Sequence, residues 1–262
     1  MRTVLVTGAG GALGTGITKC LVADGWRVVA ADLIGERADK VAKSFANPDK
    51  VEAIELDVRD RKAVGAAIDA IVKRHGTIDG LVNCAGGTGG VGVDNMPFMQ
   101  TTPEIREKVM GANLFGVLNC CHAVIPHMIK QKKGAIVSIS SGAGIPGGPA
   151  VVARRRGAAV YSACKHGVIV FTQSLAQEVG PHGVRLNTIA PGRAVSTHQT
   201  LDRIKEIHMR EEALAPGSSR QSPLGRMLQS EDIGDAATFL LSDKAAQITG
   251  CCYDLTGGLR LY

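Results

Sequence analysis

Thr3-Val-Leu-Val-Thr7 runs directly into Gly8-Ala-Gly-Gly-Ala-Leu-Gly14, which reads as a buried strand, a glycine turn and the start of a helix. A pyrophosphate needs close backbone approach, free N–H groups and the positive end of a helix. Glycines supply the first two, and a helix from about Ala12 supplies the third. The strict G-x-G-x-x-G spacing fails, because Gly8 and Gly10 are followed by Leu13 and the next glycine is Gly14. Taken alone, such a turn is equally a tight strand-to-helix connection. The next apolar run, Arg27–Asp32, changes that balance by ending on an acid. A carboxylate there accepts both ribose hydroxyls of an adenosine and repels a 2′-phosphate. Gly8, Gly10, Gly11, Ala12, Leu13, Gly14, Asp32 and the adjoining Leu33 therefore predict a dinucleotide site that takes NAD rather than NADP.

Outward from this stretch, short β-branched runs alternate with helical patterns. Thr3–Thr7, Arg27–Asp32, Val51–Asp57, Ile78–Asn83, Ala135–Ser140, Arg185–Ala190 and Cys251–Leu255 read as strands, most of them continuously apolar. That pattern suits parallel strands buried on both faces. Val64, Ile68, Ile71 and Val72 recur at helical spacing, as do Val168, Phe171, Leu175 and Val179. The expectation is α/β: a Rossmann-like, doubly wound parallel sheet with helices on both faces, in a single domain over 1–262. Three irregular segments follow predicted strands: Gly86–Thr101, Gly142–Gly157 and Gly192 to about Gln229. They should leave the carboxyl edge of the sheet, where ligands bind in such folds. The second is read as a long active-site loop over 142–160, the third as a substrate lid over about 192–229.

Composition narrows the class. The 262 residues are 45% apolar, 21% charged and 3% aromatic with 33 Gly, which excludes disorder, and no Gly-x-y period marks a collagen. The longest uncharged stretch, Gly134 to Ala153, carries too many Gly, Pro and Ser for a membrane helix. No secretory signal fits the N-terminus, and seven Cys without a C-x-x-C pair read as thiols of a cytoplasmic protein. The seven His show no metal-ligand spacing, so no metal is expected. A net charge of +6 invites a nucleic-acid reading, but the basic residues are dispersed and aromatics are few. Neither nucleic acid nor membrane is an expected partner.

Tyr161-Ser-Ala-Cys-Lys165 places a phenol and an ammonium one helical turn apart on the same face. A free phenol ionises near pH 10 and is a weak base at neutrality. A neighbouring ammonium favours phenolate, and such a pair can pass a proton to or from an alcohol oxygen while a hydride moves. Alone, Y-x-x-x-K is common and often just an exposed helical pair.

With the surrounding motifs, the chain resembles a short-chain dehydrogenase/reductase over nearly its whole length. The family pattern T-G-x-x-x-G-x-G matches Thr7, Gly8 and Gly14, with Ala12 in place of the middle glycine. N-[NC]-A-G matches Asn83-Cys84-Ala85-Gly86, the helix asparagine matches Asn113, and the Ser-Ser pair matches Ser140-Ser141. Tyr161 and Lys165 match the Tyr/Lys pair, Pro191-Gly192 follows the sixth strand, and Thr256-Gly257-Gly258 resembles the usual Asp-Gly-Gly. The resemblance implies that Tyr161 is the general acid/base, that Lys165 stabilises its phenolate and binds the nicotinamide ribose, and that Ser141 hydrogen-bonds the reacting oxygen. It implies that Asn113 holds a water linking Lys165 to solvent. Asp57-Val58 resembles the pair that contacts adenine; Asn83, Ala85, Gly86, Pro191 and Gly192 complete the implied cofactor set. A homotetramer built on the helices of Asn113 and Tyr161 is implied as well. Ser141 is preferred to Ser140 by motif position, strand alternation placing the two on opposite sides.

The stretch between Ser141 and Tyr161 is several residues longer than the family's usual spacing, and it carries Arg154-Arg155-Arg156. Three guanidiniums there are suited to clamp a carboxylate, sulfonate or phosphate; a solvated loop or an ion-paired oligomer contact is the other reading. Thr197 and His198 lie in the lid and could cover a polar substrate. These features point to NAD-dependent oxidation of a secondary alcohol, with a sugar, sugar acid, sulfonated sugar or hydroxy acid as substrate. The alternatives are an NADP-dependent carbonyl reductase, with Arg37 reaching the 2′-phosphate, and a catalytically silent dinucleotide sensor.

Overall fold

The structure is a computed structural model that describes residues 1–87, 96–145, 159–192, 223, 224, 226 and 228–258. Among them, seven parallel strands form one sheet: β1 (Thr3–Thr7), β2 (Arg27–Asp32), β3 (Val51–Glu55), β4 (Gly80–Asn83), β5 (Gly134–Ile139), β6 (Val184–Pro191) and β7 (Cys252–Leu255). Their order is β3-β2-β1-β4-β5-β6-β7. Winding reverses between β1 and β4, which pair from Val4↔Gly80 to Thr7↔Asn83. A crevice therefore opens at the carboxyl ends of those two strands.

The helices are α1 (Ala12–Ala23), α2 (Gly35–Lys43), α3 (Arg61–His75), α4 (Pro103–Met110), α5 (Gly116–Gln131), α6 (Ala159–Val179) and α7 (Ser230–Leu241). Strand alternation sorts them into two layers. Val4 and Val6 of β1 pack with Ile17 and Leu21 of α1 and Ile233 and Ala237 of α7. Leu5, on the opposite face, joins Val64 and Ile68 of α3, Val117 and Val124 of α5 and Val168 of α6. Fully burying each such side chain contributes about 1.5–3 kcal/mol, so this two-sided sheet is the main source of stability. On the first layer α1 and α7 approach through glycines: a Cβ on Gly234 would lie 2.9 Å from the Gly16 carbonyl oxygen.

Strand boundaries differ from the sequence expectation for local reasons. β3 ends at Glu55 rather than Asp57, because the Asp57 carbonyl accepts the Asp60 N–H at 3.0 Å and turns the chain into α3. Asp60 then caps α3 by accepting the Lys62 and Ala63 N–H groups. β4 begins at Gly80 rather than Ile78, whose N–H and C=O are both taken by the Gln131 amide at 3.1 and 3.0 Å. The uncharged stretch from Gly134 opens with β5. Pro103–Gln131 is long and apolar enough by composition to cross a membrane, yet its Val117, Cys120, Cys121, Val124 and Met128 line the core.

Candidate active site

Gly8 leaves β1 at φ +65°, and a Cβ there would stand 2.8 Å from the Ala85 Cα. The turn is thus pressed against the loop after β4. The Thr7 hydroxyl seals this contact, accepting the Cys84 and Ala85 N–H groups at 3.2 Å each. Gly14 is buried, with no room for a side chain beside the Gly8 carbonyl. Gly11 is exposed at the helix cap, while Ala12 and Leu13 are half-buried in the first turn of α1. That helix begins with neither a side-chain cap nor an acidic residue. Its first N–H groups therefore present an uncompensated positive end at the crevice, and the cradle fits a pyrophosphate. Ala12 is accommodated as an ordinary helical residue in place of the family's glycine.

Asp32 closes β2 and is 8% exposed. Its Oδ2 accepts the Gly10 N–H at 3.0 Å and its Oδ1 accepts the Ile34 N–H at 3.1 Å, so the carboxylate is locked to the glycine turn. Leu33 projects beside it into solvent. Asp57 is held differently. Its carboxylate is gripped by Arg59 through Nε at 2.9 Å and Nη2 at 2.7 Å, and this pairing holds it below the usual carboxylate range. Val58 is buried against Gly116 of α5, with its carbonyl accepting from the Asn119 amide at 2.9 Å.

On the other flank, Ala85, Gly86 and Gly87 leave β4 and meet Asn113. Asn113 is fully buried in a π-helical turn, Gly111–Phe115, between α4 and α5. Its Oδ1 accepts the Gly87 N–H at 2.8 Å, and its Nδ2 donates to the carbonyls of Gly87 at 3.1 Å and Val109 at 2.9 Å. The side-chain amide is therefore occupied in holding the β4 loop. Asn83, expected beside the cofactor, is turned inward: its Nδ2 donates to Ser138 Oγ at 3.1 Å, in a position 2% exposed. The same amide nitrogen lies 3.5 Å from Cys121 Sγ of α5. Burial pushes the neighbouring Cys84 thiol up to about 11, and that thiol feels the charges of both Lys165 and Asp32.

Tyr161 and Lys165 occupy the first turns of α6. Lys165 is 4% exposed; its Nζ donates to the Ile139 carbonyl at 2.8 Å and stands 5.7 Å from the centre of the Tyr161 ring. Tyr161 is half-buried, and its hydroxyl has no hydrogen bond among the described residues. The adjacent serines divide the work. Ser140 Oγ is buried and donates to the Lys165 carbonyl at 2.8 Å. Ser141 Oγ accepts the Ala143 N–H at 3.1 Å and keeps its own proton for another acceptor. Nothing in the sequence distinguished these partners, which depend on α6 crossing the end of β5. Another contact missed by the sequence reading joins His166 Nδ1 to the Gly144 carbonyl at 2.8 Å, fastening the turn after Ser141 to α6. Pro191 ends β6, Gly192 N–H donates to Leu255 O at 3.0 Å, and Gly142 lies against the Pro191 carbonyl. Arg154, Arg155, Arg156, Thr197 and His198 lie outside the described residues, as do most of the predicted long loop and lid.

Known proteins similar to this chain identify its family. The short chain dehydrogenase family profile matches residues 2–206. The chain is 34% identical to the 3-oxoacyl-(acyl-carrier-protein) reductase FabG of Thermotoga maritima, over 98% of this chain and 97% of that protein. It is also 34% identical to the 2-(R)-hydroxypropyl-CoM dehydrogenase of Xanthobacter autotrophicus, with the same coverage of each. Among solved structures, ElxO with NADP bound superposes with a TM-score of 0.86 at 25% identity, over 98% of both chains. With a dinucleotide cradle, a Tyr/Lys pair and relatives matched from end to end, the chain belongs to the short-chain dehydrogenase/reductase family, oxidoreductases that act on alcohols and ketones with a nicotinamide dinucleotide.

Proposed function

We propose that this protein is an NAD-dependent dehydrogenase that interconverts a secondary alcohol and its ketone. The observation that carries the cofactor choice is Asp32: a buried carboxylate, fixed by the Gly10 and Ile34 N–H groups, at the end of β2 where an adenosine ribose is read. Each oxygen retains a lone pair for a ribose hydroxyl, whereas a 2′-phosphate would meet a fixed negative charge. Gly8, Gly10, Gly11, Ala12, Leu13 and Gly14 would hold the pyrophosphate. Asp57 and Val58 would face the adenine, and Ala85, Gly86, Pro191 and Gly192 the nicotinamide end. When bound, the dinucleotide supplies the hydride acceptor or donor at that end.

The chain's own residues handle the proton. In oxidation, the Tyr161 phenolate oxygen takes the proton from the substrate hydroxyl; in reduction the phenol returns it. Lys165, anchored on Ile139, holds a positive charge beside the ring and favours the phenolate. The free Ser141 proton hydrogen-bonds the reacting oxygen, as Ser140 cannot with its proton committed to Lys165. Both Asn113 Nδ2 protons are committed to the Gly87 and Val109 carbonyls, so Asn113 would hold a water leading from Lys165 to solvent through an acceptor, such as the remaining lone pair of Oδ1.

The substrate we propose is polar and anionic, a sugar acid, sulfonated sugar or hydroxy acid, on the strength of Arg154-Arg155-Arg156 beside the catalytic tyrosine and a lid with Thr197 and His198. The relative named for a hydroxypropyl group also acts on a secondary alcohol. The homotetramer reading is supported by exposed apolar side chains on the same helices, Phe115 and Val170. A second reading, an NADP-linked carbonyl reductase, draws on the exposed Arg37 in α2 and on the NADP-bound relative. The test is a screen of polyols, sugars, sugar acids and hydroxy acids with NAD and with NADP, followed at the nicotinamide absorbance. Tyr161→Phe should abolish turnover while NADH still binds. Preference for NADP, or an active Tyr161→Phe, overturns the proposal.

A further inference from the structure

The ribose end of the crevice holds a second carboxylate. β2 and β3 pair with Asp32 opposite Glu55, and the Leu56 N–H donates to the Asp32 carbonyl at 2.8 Å, so the two acids end adjacent strands at one level. Asp32 turns inward onto the glycine turn, whereas Glu55 stays exposed. Its Oε2 accepts the N–H of Gly35, the first residue of α2, at 3.3 Å. Gly35 permits that seating, since a Cβ there would lie 2.7 Å from the same oxygen. The cap position before it, Ile34, offers no side-chain bond of its own. The start of α2 is thus capped by a carboxylate from another strand, at the residue directly after Ile34, whose own N–H is taken by Asp32.

A phosphate beside the adenosine ribose is ordinarily favoured by a helix end or a guanidinium. Here the helix end is already neutralised by Glu55, and a 2′-phosphate would stand between two negative charges. Arg37, in the first turn of α2, is a cation beside the glycine turn, its N–H tied to the Ile34 carbonyl and its Cβ against Gly10. We propose that Glu55 is a specificity-determining residue for the cofactor: seated on the first N–H of α2, it masks the helix end and excludes the 2′-phosphate. The inference rests on the reading of Asp32 as the ribose acid.

Equilibrium titration of NADH and NADPH tests it without a known substrate. Glu55→Gln keeps an acceptor for the Gly35 N–H and removes only the charge. It should lower the ratio of the NADPH to the NADH dissociation constant by about tenfold, the effect of one charge–charge contact at a protein surface. Glu36→Gln, which removes an exposed acid from the first turn of the same helix, serves as the control for unspecific charge and should change the ratio by less than about threefold. Glu55→Asp, with the charge kept, should hold most of the preference. If the wild-type protein prefers NADPH, the Asp32 reading falls and this one with it. If it prefers NADH but Glu55→Gln leaves the ratio unchanged, or Glu36→Gln shifts it equally, the role of Glu55 alone is overturned.

Discussion

The Ser140 hydroxyl donates to the main-chain carbonyl of Lys165 at 2.8 Å, fastening the end of β5 to α6. The Lys165 ammonium returns a bond to the Ile139 carbonyl at the same distance, so strand and helix are clasped twice, at Ile139 and at Ser140, just before Ser141. Ser141 is thereby left as the serine with an uncommitted proton.

The serines should separate by phenotype. Ser140→Ala loses a buried hydrogen bond and should cost about 1–2 kcal/mol in a denaturant titration. Ser141→Ala should instead lower turnover of a secondary alcohol found by the cofactor screen, by about 10²–10³-fold. A stable, fully active Ser141→Ala would show that the reacting oxygen is held elsewhere.

The Asp57–Arg59 pair predicts a defined pH dependence. Arg59 depresses the folded-state titration of Asp57, so its contribution is fully present above the unfolded carboxyl value, near pH 4, and is lost as pH falls through the folded value. The stability difference between wild type and Arg59→Gln should therefore be constant from pH 7 to 5 and shrink toward pH 2. A difference that persists unchanged into acid would assign the effect to packing.

Gly8→Ala places a side chain at φ +65° against Ala85. We expect a loss of about 1–3 kcal/mol of stability and failure to bind NADH in a fluorescence titration. Normal binding by this variant would dissociate the turn from the pyrophosphate.

Cys84 should be a sluggish thiol. Burial raises it to about 11, so it is protonated at pH 8 and gains thiolate only as pH approaches that value. Mass spectrometry after iodoacetamide treatment at pH 8 should find the exposed Cys251 alkylated well before Cys84, and bound NADH should protect Cys84 further. Equal labelling rates at pH 8 would contradict its raised titration.

For the arginine run, replacing Arg154, Arg155 and Arg156 with Gln should raise KM for acidic alcohols by about tenfold or more while sparing neutral ones. Equal effects on both classes would remove the anion clamp.

Much of this molecule is legible in its sequence. β1 and β2 carry the predicted boundaries because their apolar runs are uninterrupted and stop at a glycine turn and at an acid. The residues around the crevice were legible as types at spacings: glycines where a side chain would collide, and a phenol and an ammonium one turn apart. Those spacings lie within a few residues, so the linear order exposes them, although the atoms that exclude a side chain at Gly8 belong to the distant Ala85. Ile78 was misplaced because its backbone partner, Gln131, lies far along the chain.

Patterns between near neighbours were enough to lay out the strands, the glycine turn and the one-turn spacing of Tyr161 and Lys165. Tertiary structure alone decided that Ser140 serves Lys165 while Ser141 stays free, that the Asn113 amide is consumed by Gly87 and Val109, that Asn83 faces inward, and that Glu55 caps α2. Those outcomes turn on which hydrogen-bonding group from a distant element reaches a given donor or acceptor first, and only the packing of strand against helix sets that.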